Sequence, residues 1–354
     1  MKSAIVRCLI VLVLLLFWNC ETTSKEKEEI PSLETPKGMI WVPSKTFTKG
    51  AKLNDKMAMM AEKPAHQVYV DGFFMDATEV TNQEFSQFVE ATQYITLAER
   101  EIDWEEMKKE LPAGTPKPDE SILQPASLIF KRNVKNINNV QNYNQWWEWK
   151  IGANWRHPQG PDSDIEGKEN HPVVHIGYED ALAYCKWANR RLPTEAEWES
   201  AAQGNQEDAI FTWGNNAENL NENANTWQGT FPIELATKDG FDYAAGVKSY
   251  PPNSLGFYDL LGNVWEITQD YFNVKYYANL DQNEILQNPK GAKKHFNPNN
   301  PYEIEHIIKG GSFLCHASYC ASFRISARMG NAEKSSSDHV GFRTVVTPEM
   351  LQQE

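Results

Sequence analysis

The stretch Arg191-Leu192-Pro193-Thr194-Glu195-Ala196-Glu197-Trp198-Glu199 sets Thr194 and Glu197 at the spacing of a capping box. In that device a hydroxyl and a carboxylate three residues apart satisfy each other's backbone N–H groups at a helix start. Trp198 and Ala201 fall on the inward face of the helix so begun, and Gly204 is placed to stop it. Working outward, Thr81 and Glu84 repeat the device ahead of Phe85, Phe88 and Val89, an apolar i, i+3, i+4 face. These signals predict two or three substantial helices. Short alternating runs, Val68-Tyr69-Val70, Phe323 to Arg328 and Val340 to Val346, read as strands between long irregular stretches rich in Asn, Gly and Pro. The body is therefore expected to be α+β with a large loop fraction, and it contains no internal repeat.

Bulk properties exclude several functions. The chain has 354 residues with 34 Lys+Arg against 48 Asp+Glu, a formal net charge of −14 and no basic stripe, which argues against nucleic acid as a partner. Twelve Trp, 20 Gly and 19 Pro with 41% hydrophobic residues describe a large aromatic core carrying many turns, well above the size at which disulfides become necessary. At the N-terminus Lys2 and Arg7 flank the apolar run Cys8 to Trp18, whose 11 residues have an export signal's length where a membrane span needs about 20. The run stops at Asn19-Cys20 and resembles a bacterial lipoprotein signal over residues 1–19, with Cys20 as the lipid-bearing first residue, although Phe17-Trp18-Asn19 is bulkier than the usual small-residue box. Residues 20–35, rich in Lys and Glu, read as a disordered tether that would hold one extracytoplasmic domain on a membrane of the cell envelope.

Five cysteines sort by position. Cys8 would leave with the leader and Cys20 would be acylated, so the mature body would keep Cys185, Cys315 and Cys320. Cys185 recurs with Ala181, Tyr184 and Ala188 at helical spacing and reads as a small buried hydrophobe. Cys315 and Cys320 stand on the glycine-led stretch Gly310-Gly311-Ser312-Phe313-Leu314-Cys315-His316-Ala317-Ser318-Tyr319-Cys320. Such a pair forms a disulfide or holds a soft metal. Structural zinc needs about four ligands, usually in two spaced pairs, and no second cysteine pair exists. Two thiolates suit Cu(I). His171 and His175 are rejected as a zinc pair, because Pro172 and the β-branched Val173-Val174 predict a strand that would hold them about 13 Å apart at about 3.3 Å per residue.

The segment Gly310 to Arg343, with its Cys-His-Ala-Ser-Tyr-Cys core, Arg324, Arg328 and the closing Gly341-Phe342-Arg343, resembles the formylglycine-generating enzymes, or sulfatase-modifying factors. Three further blocks match: Phe74 to Asn82; Gly152-Ala153-Asn154-Trp155-Arg156-His157-Pro158 with Arg191 to Glu199; and Gly262-Asn263-Val264-Trp265-Glu266. The resemblance covers about residues 36–346, followed by a tail at 347–354. It implies a C-type-lectin-like scaffold with low regular secondary structure. It also implies a copper-dependent oxidase that uses O2 to convert the cysteine of a Cys-x-Pro-x-Arg segment in an unfolded sulfatase to Cα-formylglycine.

Roles follow residue by residue from that resemblance. Cys315 and Cys320 would bind Cu(I), while Ser312 and Trp265 would line the oxygen and substrate pocket. His316 and Tyr319 would orient the site, and Asp103 would pair with the substrate arginine. Asn225, Thr226, Asp239 and Phe241 match one calcium site, and Asp259, Gly262, Val264 and Glu266 a second. Disulfides of animal members would have partners at Thr344, Ala202 and Ile325, so those bridges are absent here. The alternative is a non-catalytic envelope lipoprotein of the same fold, acting in secretion, motility or ligand binding. An iron-dependent sulfoxide synthase is disfavoured, since the helical iron domain of that class does not precede residue 36.

Overall fold

A computed structural model describes residues 34–139, 142–237 and 240–352. The leader, Cys20, the tether up to residue 33 and Asp239 lie outside the described residues. Both capping boxes form. The Thr194 hydroxyl accepts from Glu197 N–H at 3.0 Å and the Glu197 carboxylate accepts from Thr194 N–H at 2.8 Å, starting the helix Glu195–Gln203. All nine residues of that helix are buried. It ends at Gly204, where φ is +56° and an added Cβ would lie 2.3 Å from Ser254 Oγ, so both conformation and space call for glycine. Thr81 and Glu84 start the helix Asn82–Thr92, which buries Phe85, Phe88 and Val89. A third helix, Tyr178–Trp187, carries Cys185 inward at 3% exposure as a free thiol.

These helices pack on short sheets. The largest has the order Met329–Ala332, Glu305–Lys309, Trp265–Tyr271, Val340–Gly341, with the last pair parallel and the others antiparallel. A three-stranded sheet joins Met39–Val42, Phe73–Asp76 and Val345–Val346, and another joins Leu286–Gln287, His66–Val70 and Lys45–Lys49. One apolar cluster runs from the 82–92 helix through Trp198, Trp265 and Phe342 to Cys315. The fold is α+β with long connections, as expected.

Three local expectations differ from the structure. Phe323 to Arg328 is not a strand; pairing begins only at Met329. Arg324 turns inward to Asp55 and Glu62 and Arg328 inward to Glu195, and Ala327 N–H closes a turn on Arg324 O, so burying two guanidinium groups overrides the alternating pattern. Val340 to Val346 splits into two short strands, because Arg343 between them forks onto Glu266 at 2.6 Å and Thr344 N–H reaches Asp76. His171 to His175 is irregular, with one bridge from Pro172 to Thr81 and His175 at φ +61°.

Beneath the 195–203 helix lies a sealed ion network. Lys49 meets Glu195 at 2.7 Å, Arg328 Nε meets Glu195 at 2.7 Å, and Lys309 meets Glu199 at 2.9 Å, all at 3% side-chain exposure or less. Tyr277 hydroxyl closes it against Lys49. Glu195 is held below the usual carboxylate range although burial opposes this, because Arg328, Lys49 and Lys309 surround it.

Candidate active site: a paired-thiol cleft

The strand Glu305–Lys309 runs into Gly310 and Gly311, at φ +89° and +77°. A Cβ on Gly310 would stand 2.5 Å from Leu260 O, so only glycine lets the chain turn this close to the neighbouring loop. Two turns follow. Cys315 N–H donates to Ser312 O at 2.9 Å and Cys320 N–H to His316 O at 2.8 Å, which brings the loop back on itself. The two cysteines are free, and their sulfurs come within 2.6 Å of each other.

The two sulfurs are not equivalent. Cys315 is 1% exposed and burial pushes its thiol well up. Cys320 is half-buried, and its thiol is shifted down by the hydrogen bond it accepts from Cys315, with help from Ser322 and the Arg324 charge. Cys320 is thus the sulfur that ionises first, and it is the more exposed residue of the two.

Both line a cleft of about 530 Å³. Trp265, at 1% exposure, and Ser312, fully buried, form its inner wall, and Trp265 N–H donates to His339 O at 2.9 Å. Tyr319 stacks on Phe231 with centroids 4.3 Å apart and meets the Trp146 edge, making one side wall aromatic. His316 does not line the cleft; its Nδ1 bonds Ser318 Oγ at 2.8 Å. Asp103 does not line it either, being an exposed helix N-cap whose carboxylate accepts from Glu105 N–H at 2.8 Å. The structure therefore gathers Cys315, Cys320, Ser312, Trp265 and Tyr319 and leaves Asp103 and His316 outside.

Sequence reading missed other wall residues. His339 lines the cleft, lies against Trp147 at 4.9 Å between centroids and bonds Ser337 Oγ through Nδ1 at 2.9 Å. Burial, then the nearby His175, push it down to about 3, so its ring is neutral at ordinary pH. Its position two residues before Gly341-Phe342-Arg343 was the available signal.

Among the described residues no group of three or more His, Cys, Asp or Glu side chains is assembled as a metal site. Two soft sulfurs, one already inclined to ionise, nevertheless form a donor pair that fits a soft monovalent ion. For the second calcium site the fit is partial. Asp259 Oδ1 and Glu79 Oε2 are buried without hydrogen-bond partners, and burial raises both carboxyls, Asp259 to about 6. The Glu266 carboxylate accepts from the Arg343 fork and from Trp198 Nε1 at 2.7 Å, and Glu79, which the sequence reading left unassigned, has its Oε2 free of hydrogen bonds and 4.0 Å from Arg343 Nη2. Val264, another residue of this set, is fully buried. At the first site Asn225 is buried and tied through Nδ2 to Tyr243 O and Asn263 Oδ1. Thr226 Oγ1 is buried without a partner among the described residues. Phe241 lines a separate pocket of about 230 Å³. These turns buttress the thiol loop: Gly262 N–H donates to Gly310 O, Phe313 N–H to Asn263 O and Trp227 N–H to Cys315 O.

Comparison with known proteins agrees with this architecture. Residues 24–348 match the family described as sulfatase-modifying factor enzyme 1-like domain. A formylglycine-generating enzyme of Mus musculus is 38% identical over 312 residues, covering 86% of this chain and 74% of that one. The same organism's inactive C-alpha-formylglycine-generating enzyme 2 is 33% identical over 312 residues, covering 86% of this chain and 84% of that one. Among solved structures, PvdO from Pseudomonas aeruginosa superposes with a TM-score of 0.57 at 20% identity, over 87% of this chain and 94% of that one, a likeness of fold.

Proposed function

The chain belongs to the sulfatase-modifying factor family of formylglycine-generating enzymes, and on that footing we propose that it oxidises the cysteine of a Cys-x-Pro-x-Arg segment in an unfolded sulfatase to Cα-formylglycine. The observation that carries this reading is the Cys315–Cys320 pair, both free cysteines, lining a cleft of about 530 Å³. Scaffold relatives without this chemistry have no need of two free thiols in such a place.

Cu(I), held by Cys315 and Cys320, would supply O2 activation and a soft docking point for the substrate sulfur. The substrate Cβ gives up two electrons and its sulfur leaves as hydrogen sulfide. One O2 takes up four electrons, so a thiol reductant provides the other two; two waters form, and one water is consumed in hydrolysing the thioaldehyde to the aldehyde. Ser312 and Trp265 shape the space beside the sulfurs, and the stacked Tyr319 and Phe231 exclude water from the reacting carbon. His339 faces the cleft uncharged, so it presents hydrogen-bonding nitrogen without repelling a cation. Asp103 is assigned to the substrate arginine. That pair is solvent-exposed, so it contributes about 1 kcal/mol at most.

Calcium is proposed as structural, with Asp259 and Glu79 offering buried oxygens that lack hydrogen bonds. Chelation of divalent cations should lower the melting temperature and added calcium restore it; identical melts would remove calcium from the account. Cys20 is proposed to carry lipid that holds the domain on the outside of a bacterial membrane. Among the described residues no helix is long and apolar enough to cross one.

The second reading, a non-catalytic protein of the same fold, is favoured by the 33% identity to a relative named as inactive. One experiment separates the two. Full-length reduced protein with one equivalent of Cu(I) is incubated with a Cys-x-Pro-x-Arg peptide, O2 and a thiol reductant, and mass spectrometry follows sulfur loss and aldehyde gain. Unchanged peptide with copper bound would establish the second reading.

A further inference from the structure

The segment Met57-Ala58-Met59-Met60 places three thioethers within four residues, and a fourth, Met329, begins the edge strand of the largest sheet. Met57, Met59 and Met329 all line the cleft that holds Cys315 and Cys320. Methionine is among the residues most often buried, yet Met59 and Met329 are 43% and 37% exposed here. Three of the chain's nine methionines thus line one cleft, two of them substantially exposed, and Met60 beside them is 83% exposed.

Their placement is built. Met57 N–H donates to Asp55 Oδ1 at 2.9 Å and Met59 N–H to Glu62 Oε1 at 3.0 Å. The same two carboxylates clamp Arg324, Asp55 at 2.5 Å and Glu62 at 2.7 Å, both fully buried. Arg324 Nε in turn donates to Ala321 O at 2.7 Å, next to Cys320. One guanidinium therefore bolts the methionine arm to the thiol loop, and Met57 packs on the same apolar cluster as Cys315 and Cys320.

We propose that Met57, Met59 and Met329 form a receiving site that captures Cu(I) and passes it to Cys315 and Cys320. The proposal rests on the copper reading above. Thioethers are soft and neutral, so they hold Cu(I) without losing a proton and hold it weakly; thiolates are soft and charged, so they hold it tightly. Transfer is ligand exchange that runs downhill from one set to the other. Copper stays monovalent throughout, and the thiol protons displaced by the metal leave to solvent. An apolar lip for the substrate peptide would be served equally well by leucine, whereas soft coordination needs the sulfur.

That difference supplies the test. In the full chain, Met57→Leu, Met59→Leu and Met329→Leu together conserve volume and apolarity while removing the thioethers. Cu(I) is presented as its bicinchoninate complex and loading is followed by loss of chelator colour in a stopped-flow instrument. The triple variant should load at least about tenfold more slowly, comparable to removing outer partners of a metal site. Its final stoichiometry, and the KM of the preloaded protein for peptide, should be unchanged. In Cys315→Ser/Cys320→Ser protein, X-ray absorption should show thioether-bound Cu(I) that the three leucines abolish. Equal loading rates in wild type and triple variant would overturn the proposal, as would a raised peptide KM with unchanged loading, which marks a peptide lip. Should the triple variant melt early, Met59→Leu alone, at an exposed position, must still slow loading. If wild type binds Cu(I) no more tightly than the double serine variant, the copper reading itself fails.

Discussion

The thiol cleft and the ion network beneath the 195–203 helix treat reactive groups in opposite ways. In the network Lys49, Lys309 and Arg328 are set against Glu195 and Glu199, each charge within ion-pair distance of an opposite one and closed off from water. Desolvated charges need that degree of pairing to persist. In the cleft Cys315 and Cys320 have each other, with one sulfur half-exposed and aromatic rings for walls. The network spends its chemistry on holding distant segments together; the cleft keeps its chemistry available. Function is found where partners are withheld.

Five substitutions test that contrast. Cys315→Ser or Cys320→Ser should abolish peptide conversion and tight Cu(I) binding while moving the melting temperature by only a few degrees, checked by mass spectrometry, chelator competition and thermal melts. A large thermal loss would make the cleft structural and dissolve the distinction. Glu195→Gln should do the reverse. It leaves Lys49 and Arg328 without their compensating charge and costs about 3–5 kcal/mol of stability in denaturant titration, with copper stoichiometry intact in the protein that remains folded.

Asp270 sharpens the comparison through pH. Its carboxyl accepts from Glu195 N–H at 2.9 Å, and burial followed by the Glu195 charge push it up from 3.8 to about 7. The folded state therefore binds this proton more tightly than the unfolded chain does. The group detracts increasingly from stability as pH climbs from about 4 to about 7, and by a constant amount above that. Asp270→Asn should melt higher than wild type at pH 8, and the advantage should shrink toward pH 5; a pH-independent difference would refute the assignment. The smallest effect is expected for Asp103→Ala. An exposed pair worth about 1 kcal/mol raises peptide KM no more than about fivefold with kcat unchanged, and a larger effect would mean the peptide orders this region on binding.

Legibility followed sequence separation. The capping boxes at Thr81 and Thr194 span three residues each and were readable because both partners lie in one turn. The paired thiols were readable for the same reason. Phe323 to Arg328 misled, since its alternation is that of a strand while Arg324 and Arg328 answer to Asp55, Glu62 and Glu195, up to 269 positions away. Glu79 and His339 escaped notice because each matters only through what the fold sets beside it: an unpartnered Asp259 oxygen in one case, the Trp147 ring and Trp265 backbone in the other.

Local order and local chemistry, the helix starts, the glycine turn at 310–311 and two sulfurs on one loop, were written in short runs of residues, because bonds between near neighbours need little chain entropy to close. Which side chains wall the cleft, which carboxylates are free and which arginine ties the methionine arm to the thiol loop emerged only when remote segments packed. Burial sets the worth of a charge or a sulfur, and burial is a property of the folded whole.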